Sequence, residues 1–167
     1  MIIYIAVTAI SRDGQNAIFM KYIPVSLYQQ FKYKAIPNII AIMISTVLVI
    51  GVVWYYTKAS VLFLGVIFMI AFMIAIFESY LMIMVDLKKP KLQWDSEYAV
   101  VKQNMNLAWT MAASGIVILF LIVFSSIGQF VDYRIAMGIL FILMSVIAYL
   151  VDRYVYAHQD KLFEKVI

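Results

Sequence analysis

The residues able to do chemistry are few and widely spaced. Glu78 is the acidic residue well inside an apolar run, beside Ser79 and Tyr80. A carboxylate in hydrocarbon is costly and usually faces protein or water. Its candidate partners are Asn104 and Asn106 at the start of a later apolar run, and Asn38 at the start of an earlier one. A proton or cation relay needs a chain of such groups. None follows, so a structural, hydrogen-bonded carboxyl is favoured over a transport group. His158 is the single histidine, placed after the last apolar run with no ligand set around it. That placement also argues against a Ser/His/Asp arrangement. With no cysteine, disulfides and thiolate metal sites are excluded. No GxxxxGK[ST] loop is present to bind ATP. These absences argue against an enzyme, and no catalytic residue, cofactor or metal ligand is assigned.

The elements that position these residues are set by hydropathy. Of 167 residues, 66% are hydrophobic and 13% charged, against about 45–50% and about 25% in soluble domains. One core of this size cannot hide so much apolar surface, and lipid is its natural solvent. A helix needs roughly 20 apolar residues to cross a hydrocarbon layer of about 30 Å. Four stretches qualify: 36–56, 61–85, 107–127 and 135–156. Trp54, Tyr55, Tyr56, Trp109, Tyr133, Tyr154 and Tyr156 fall near their ends, where amphipathic rings favour the headgroup zone. The expected fold is all-α: a polytopic transmembrane helix bundle of four full spans plus a partial amino-terminal span. That partial span is Met1–Ile10, apolar from its first residue and about 15 Å long as a helix. It reads as the last half of a span whose beginning is missing, or else as a short membrane-dipping terminus. The whole chain, 1–167, is one transmembrane domain.

Charge separates the connections. Arg12, Lys21, Lys32 and Lys34 precede the first span. Lys88, Lys89, Lys91 and Lys102 lie between the second and third, and Arg153, Lys161 and Lys165 end the chain. These segments hold eleven of the thirteen basic residues, leaving Lys58 and Arg134 for the other side. Positive charge is retained in the cytoplasm during insertion. The chain is therefore expected in the cell membrane, multi-pass, with both flanks of the four-span unit cytoplasmic. The net charge of +4 reflects topology, and no nucleic-acid partner is implied because the basic residues match no such motif.

Two of the basic segments have more structure than plain linkers. In the interfacial segment 11–35, Asp13-Gly14 signals a turn after a helix end, with glycine free to adopt a left-handed backbone. Pro24 suits a helix's first turn, and Val25 to Lys34 would follow as an amphipathic interfacial helix with Leu27, Tyr28, Phe31 and Ala35 near one face. Pro37 would then start the first full span. In the loop 86–106, Pro90 stops the second span near Lys89. Asp95 or Ser96 would cap a short helix with Tyr98, Val101 and Met105 on its apolar side. A membrane-surface anchor and a solvated loop are the bland alternatives for the two segments. Small-xxx-small pairs at Ala71/Ala75 and Ala108/Ala112, with Ser114 and Gly115, are weak signals of helix contacts.

These two segments resemble cytoplasmic parts of the membrane permeases of bacterial ATP-binding-cassette exporters. In the first, the matching letters are Ser11, Arg12, Asp13, Gly14, Lys21, Ile23, Pro24, Val25, Ser26 and Lys34. In the second they are Asp86, Pro90, Lys91, Leu92, Trp94, Lys102, Gln103 and Asn104. The resemblance implies the carboxy-terminal membrane region of a permease that pairs with a separate ATPase subunit. It makes Arg12, Asp13, Gly14, Lys21 and Pro24 the candidate coupling residues. Such permeases have more spans upstream, in keeping with the half span at Met1–Ile10. The expected partners are that ATPase, other membrane helices or a second copy, and the lipid bilayer. The competing readings are a small four-span scaffold or regulatory protein without transport activity, and a lone secondary carrier resting on Glu78.

Overall fold

The computed structural model describes residues 4–94, 105–128, 132–164 and 166. Six α-helices run through them: α1 (Tyr4–Val7), α2 (Leu27–Thr57), α3 (Val61–Lys88), α4 (Asn106–Gly128), α5 (Tyr133–Ala157) and α6 (Gln159–Phe163). A 3-10 segment, Ser11–Lys21, links α1 to the bend before α2. No strand occurs among the described residues. Four helices are long and apolar enough to cross a membrane: Leu27–Thr57, Val61–Lys88, Asn106–Ser126 and Tyr133–Ala157. The fold is therefore the all-α, multi-pass bundle expected from hydropathy.

Polar caps start three of these helices. The Ser26 and Ser60 hydroxyls accept from the amides of Gln29 and Phe63, each at 3.3 Å. Asp132 accepts from the Arg134 amide at 2.8 Å. Each cap satisfies an amide that the helix leaves open at its start. Lys58 ends α2 in a left-handed conformation, φ 52°, and its amide closes onto the Trp54 carbonyl at 2.9 Å. Its ammonium lies 5.3 and 4.9 Å from the Trp54 and Tyr55 ring centroids, an attraction that offsets part of the backbone cost. The three-residue link then makes α2 and α3 an antiparallel hairpin.

The start of the first span differs from expectation. There is no separate interfacial helix over Val25–Lys34. Its residues from Leu27 onward are the opening turns of α2, which runs for 31 residues through Pro37. Such a helix is about 46 Å long, well beyond the hydrocarbon thickness, so one end projects. Pro24 lies in the bend ahead of the Ser26 cap and not in a helix's first turn. Pro37 does not start the span. It sits inside α2 on the same exposed side as Tyr33, whose carbonyl is the one the proline leaves without an amide. The amino-terminal helix also differs: it covers Tyr4–Val7 and gives way to a turn through Ile10. Ala6, Val7, Thr8, Ala9 and Ile10 are buried within the chain and do not face lipid.

α3 is the central helix and packs against all five others. Burial concentrates where α2 and α4 begin and α3 and α5 end, here called the charged end. Val7, Ile10, Phe31, Ala35, Tyr80, Ile83, Leu87, Val155 and Phe163 form one cluster there. The Phe31 and Tyr80 rings meet edge to face at 5.0 Å, a favoured aromatic geometry. Towards the opposite end the helices bury little. α2 has no buried residue after Asn38, and much of α4 is exposed. Ala75 is buried on α3, whereas Ala108 and Ala112 are exposed and mark no contact within the described residues.

Candidate functional site

The charged end is organised by one carboxylate. Asp86, in the last turn of α3, is fully buried. One of its oxygens, Oδ2, accepts from the amides of Ile10 at 2.8 Å and Ser11 at 2.9 Å. The other accepts from the Ser11 hydroxyl and from Asn106 Nδ2 at 3.1 Å. Four donors compensate the lost hydration of a buried carboxylate. The same Asn106 nitrogen reaches the Lys89 carbonyl at 3.0 Å. As the first residue of α4, Asn106 also brings that helix's positive end towards the charge.

Ser11 extends the network in the other direction. Its hydroxyl accepts from the Lys91 amide at 3.0 Å, and its carbonyl accepts from the Trp94 indole at 2.9 Å. The indole explains Gly14. That residue has φ 55° and ψ −135°, a region close to exclusive to glycine. A Cβ there would also lie 3.1–3.2 Å from the Trp94 ring. The turn expected at Asp13-Gly14 is thus present, and the glycine is required twice over.

The neighbouring charges fasten the segment locally. Arg12 Nη2 donates to the Ile5 carbonyl at 2.9 Å, so its guanidinium caps the end of α1. Asp13 pairs with Lys34 of α2 at 2.6 Å, and Lys34 also reaches the Ala9 carbonyl at 3.0 Å. The buried Gln30 amide donates to the Met20 and Val25 carbonyls, both at 2.9 Å, holding the bend against α2. Arg12, Asp13 and Gly14 therefore belong to one arrangement. Lys21 and Pro24 stand outside it and are exposed, as are Ile18, Phe19, Tyr22 and Ile23.

Of the candidate partners of Glu78, Asn38 and Asn106 are engaged elsewhere. Asn38 donates to Ser79 at 2.9 Å, and Asn106 serves Asp86. Glu78 has Ser114 of α4 beside its carboxyl. Asn104 and the expected short helix with Asp95, Ser96, Tyr98 and Val101 lie outside the described residues. His158 is exposed and stacks on Tyr154 at 4.4 Å. A second carboxylate, Asp152 of α5, accepts from the Tyr28 hydroxyl at 2.7 and 2.8 Å and from the Tyr80 hydroxyl at 3.1 Å. It ties α2, α3 and α5 together. Sequence reading missed both aspartates. Asp86 stands in the sequence only as the first letter of the loop 86–106 and of its permease-like motif, and Asp152 is not singled out there at all. The available signal was an acid one or two turns inside the basic end of an apolar run.

Comparison of the chain with protein-family models, with curated proteins and with solved structures gives no match.

Proposed function

We propose that this chain is the membrane-spanning permease component of an ATP-binding-cassette exporter, coupling to a separate ATPase subunit at its charged end, in the cytoplasm. The observation that carries the reading is the anchoring of Ser11–Lys21. The segment holding Arg12, Asp13, Gly14 and Lys21, four of the five candidate coupling residues, is joined through Ser11 to Asp86 of α3, through Asp86 to Asn106 of α4, and through Asp13 to Lys34 of α2. A force applied to it would reach three spans through short hydrogen bonds and not through a slack linker. The described letters of the two motifs that resemble those permeases meet at this junction, with Ser11 and Gly14 against Lys91 and Trp94. The moving surface offered to the ATPase is the exposed Phe19, Lys21, Tyr22 and Ile23.

Co-purification tests this directly, using the tagged full chain and mass-spectrometric detection of a subunit carrying a GxxxxGK[ST] loop. The expected result is recovery of that ATPase with the wild-type chain and its loss with Phe19→Ser plus Lys21→Glu, which touch none of the internal hydrogen bonds. Recovery unchanged by these substitutions would remove the coupling assignment. Stable recovery of other membrane proteins and no ATPase would favour the scaffold reading instead.

A further inference from the structure

A cleft of about 560 Å³ runs between α2 and α5, with α3 as its floor. The coupling reading gives it no role. Its walls are apolar, formed by Ile36, Ile39 and Ile40 on α2, Phe72 and Ile76 on α3, and Ala148 on α5. At the charged end it closes on Lys32, Tyr80, Tyr149 and Asp152. Lys32 and Asp152 carry opposite charge, yet they form no ion pair with each other. The Tyr28 hydroxyl stands between them, accepting from Lys32 Nζ at 3.3 Å and donating to Asp152. Asp152 Oδ1 accepts from both tyrosines, whereas Oδ2 accepts from Tyr28 alone. A carboxylate offers about four acceptor positions, so Oδ2 keeps one for another donor.

We propose that this cleft is a binding site for one zwitterionic phospholipid with a primary-amine headgroup, such as phosphatidylethanolamine. An acyl chain lies along the apolar walls, the ammonium donates to Asp152, and the phosphate faces Lys32. Charge complementarity selects the headgroup. Two unlike charges separated by one hydroxyl match a headgroup carrying both signs, and an acceptor with an open lone pair takes a hydrogen-bond donor, which a primary ammonium offers and a quaternary amine lacks. By volume the cleft lies within the about 300–1,000 Å³ of small-ligand sites. It opens sideways between spans, where the surrounding solvent is lipid.

Native mass spectrometry of the purified full chain tests the proposal, with phosphatidylethanolamine, phosphatidylcholine and phosphatidylglycerol offered at equal concentration. The wild-type chain is expected to retain the ethanolamine lipid over the choline lipid by about tenfold, the worth of one charge-assisted hydrogen bond. Asp152→Asn is expected to remove that preference. Ile40→Trp, at an exposed position on the cleft's rim, is expected to lower retention of the ethanolamine lipid severalfold while Asp152 stays intact, so it carries the test if the aspartate variant does not fold. Equal retention of the two lipids by the wild-type chain would overturn the proposal. So would a preference for phosphatidylglycerol, or retention untouched by Ile40→Trp. The chain has no cysteine, so Ile40→Cys gives a single cross-linking position. A disulfide-linked dimer forming through it in the membrane would place a second copy over the cleft and also overturn the lipid assignment.

Discussion

The two ends of the bundle are built on different physics. At the charged end, backbone amides, hydroxyls and side-chain amides converge on Asp86 and Asp152, and the largest buried cluster surrounds them. At the opposite end the helices keep few buried residues, and α2 shows none beyond Asn38. Within lipid, apolar side chains gain little by leaving the solvent, so association rests on close packing and on polar contacts between helices. The polar contacts sit at one end, and that is where the helices are held. A bundle pinned at one end and loosely packed at the other suits a protein in which a push at the pinned end changes the spacing of the spans.

Substitutions at the two ends should separate these regimes. Asp86→Ala is expected to have the largest effect, lowering stability by about 3 kcal/mol or more, because each buried donor left without its acceptor costs about 1–3 kcal/mol. A thermal midpoint in detergent reads it, and a wild-type midpoint would dissolve the distinction between the ends. Gly14→Ala should cost about 1–3 kcal/mol through its positive φ. Part of that cost should disappear in the Trp94→Ala background, where the clash is relieved, and a double-mutant cycle gives the shared portion. Asp13→Asn should cost about 0.2–1 kcal/mol, since its ion pair with Lys34 is partly exposed. It should cost less still at high salt. Leu48→Ala, on an exposed face of α2 in the loose half, should fall within about 0.5 kcal/mol of wild type. A larger loss would mean that Leu48 is covered by another helix.

The four spans were legible because length and apolarity are local properties. So were the glycine turn at Asp13-Gly14 and the stop before Pro90, each set by neighbouring residues. The continuity of α2 through Pro37 was not. Proline disfavours a helix interior, and what tolerates it here is the placement of Tyr33 and Pro37 together on an exposed face. The role of Asp86 was hidden for another reason. Its partners Ile10 and Ser11 are 76 and 75 residues away, so no local pattern pairs them. Asn106 was singled out correctly as a polar residue at a helix start, but Glu78 was the wrong partner for it. Arg12 stands out as a coupling charge, and its guanidinium donates to the carbonyls of Ile5 in α1 and of Thr8 just after it.

The central claim is that Asp86 joins the 3-10 segment to the start of α4, so that neither end of this connection moves alone. Amide hydrogen exchange on the wild-type chain and on Asp86→Asn measures it most directly. The expected result is faster exchange in the variant at Ser11–Lys21 and in the first turn of Asn106–Gly128 together, with the amides around Met144–Val155 unchanged. Faster exchange in only one of the two joined regions, or in neither, would contradict the claim.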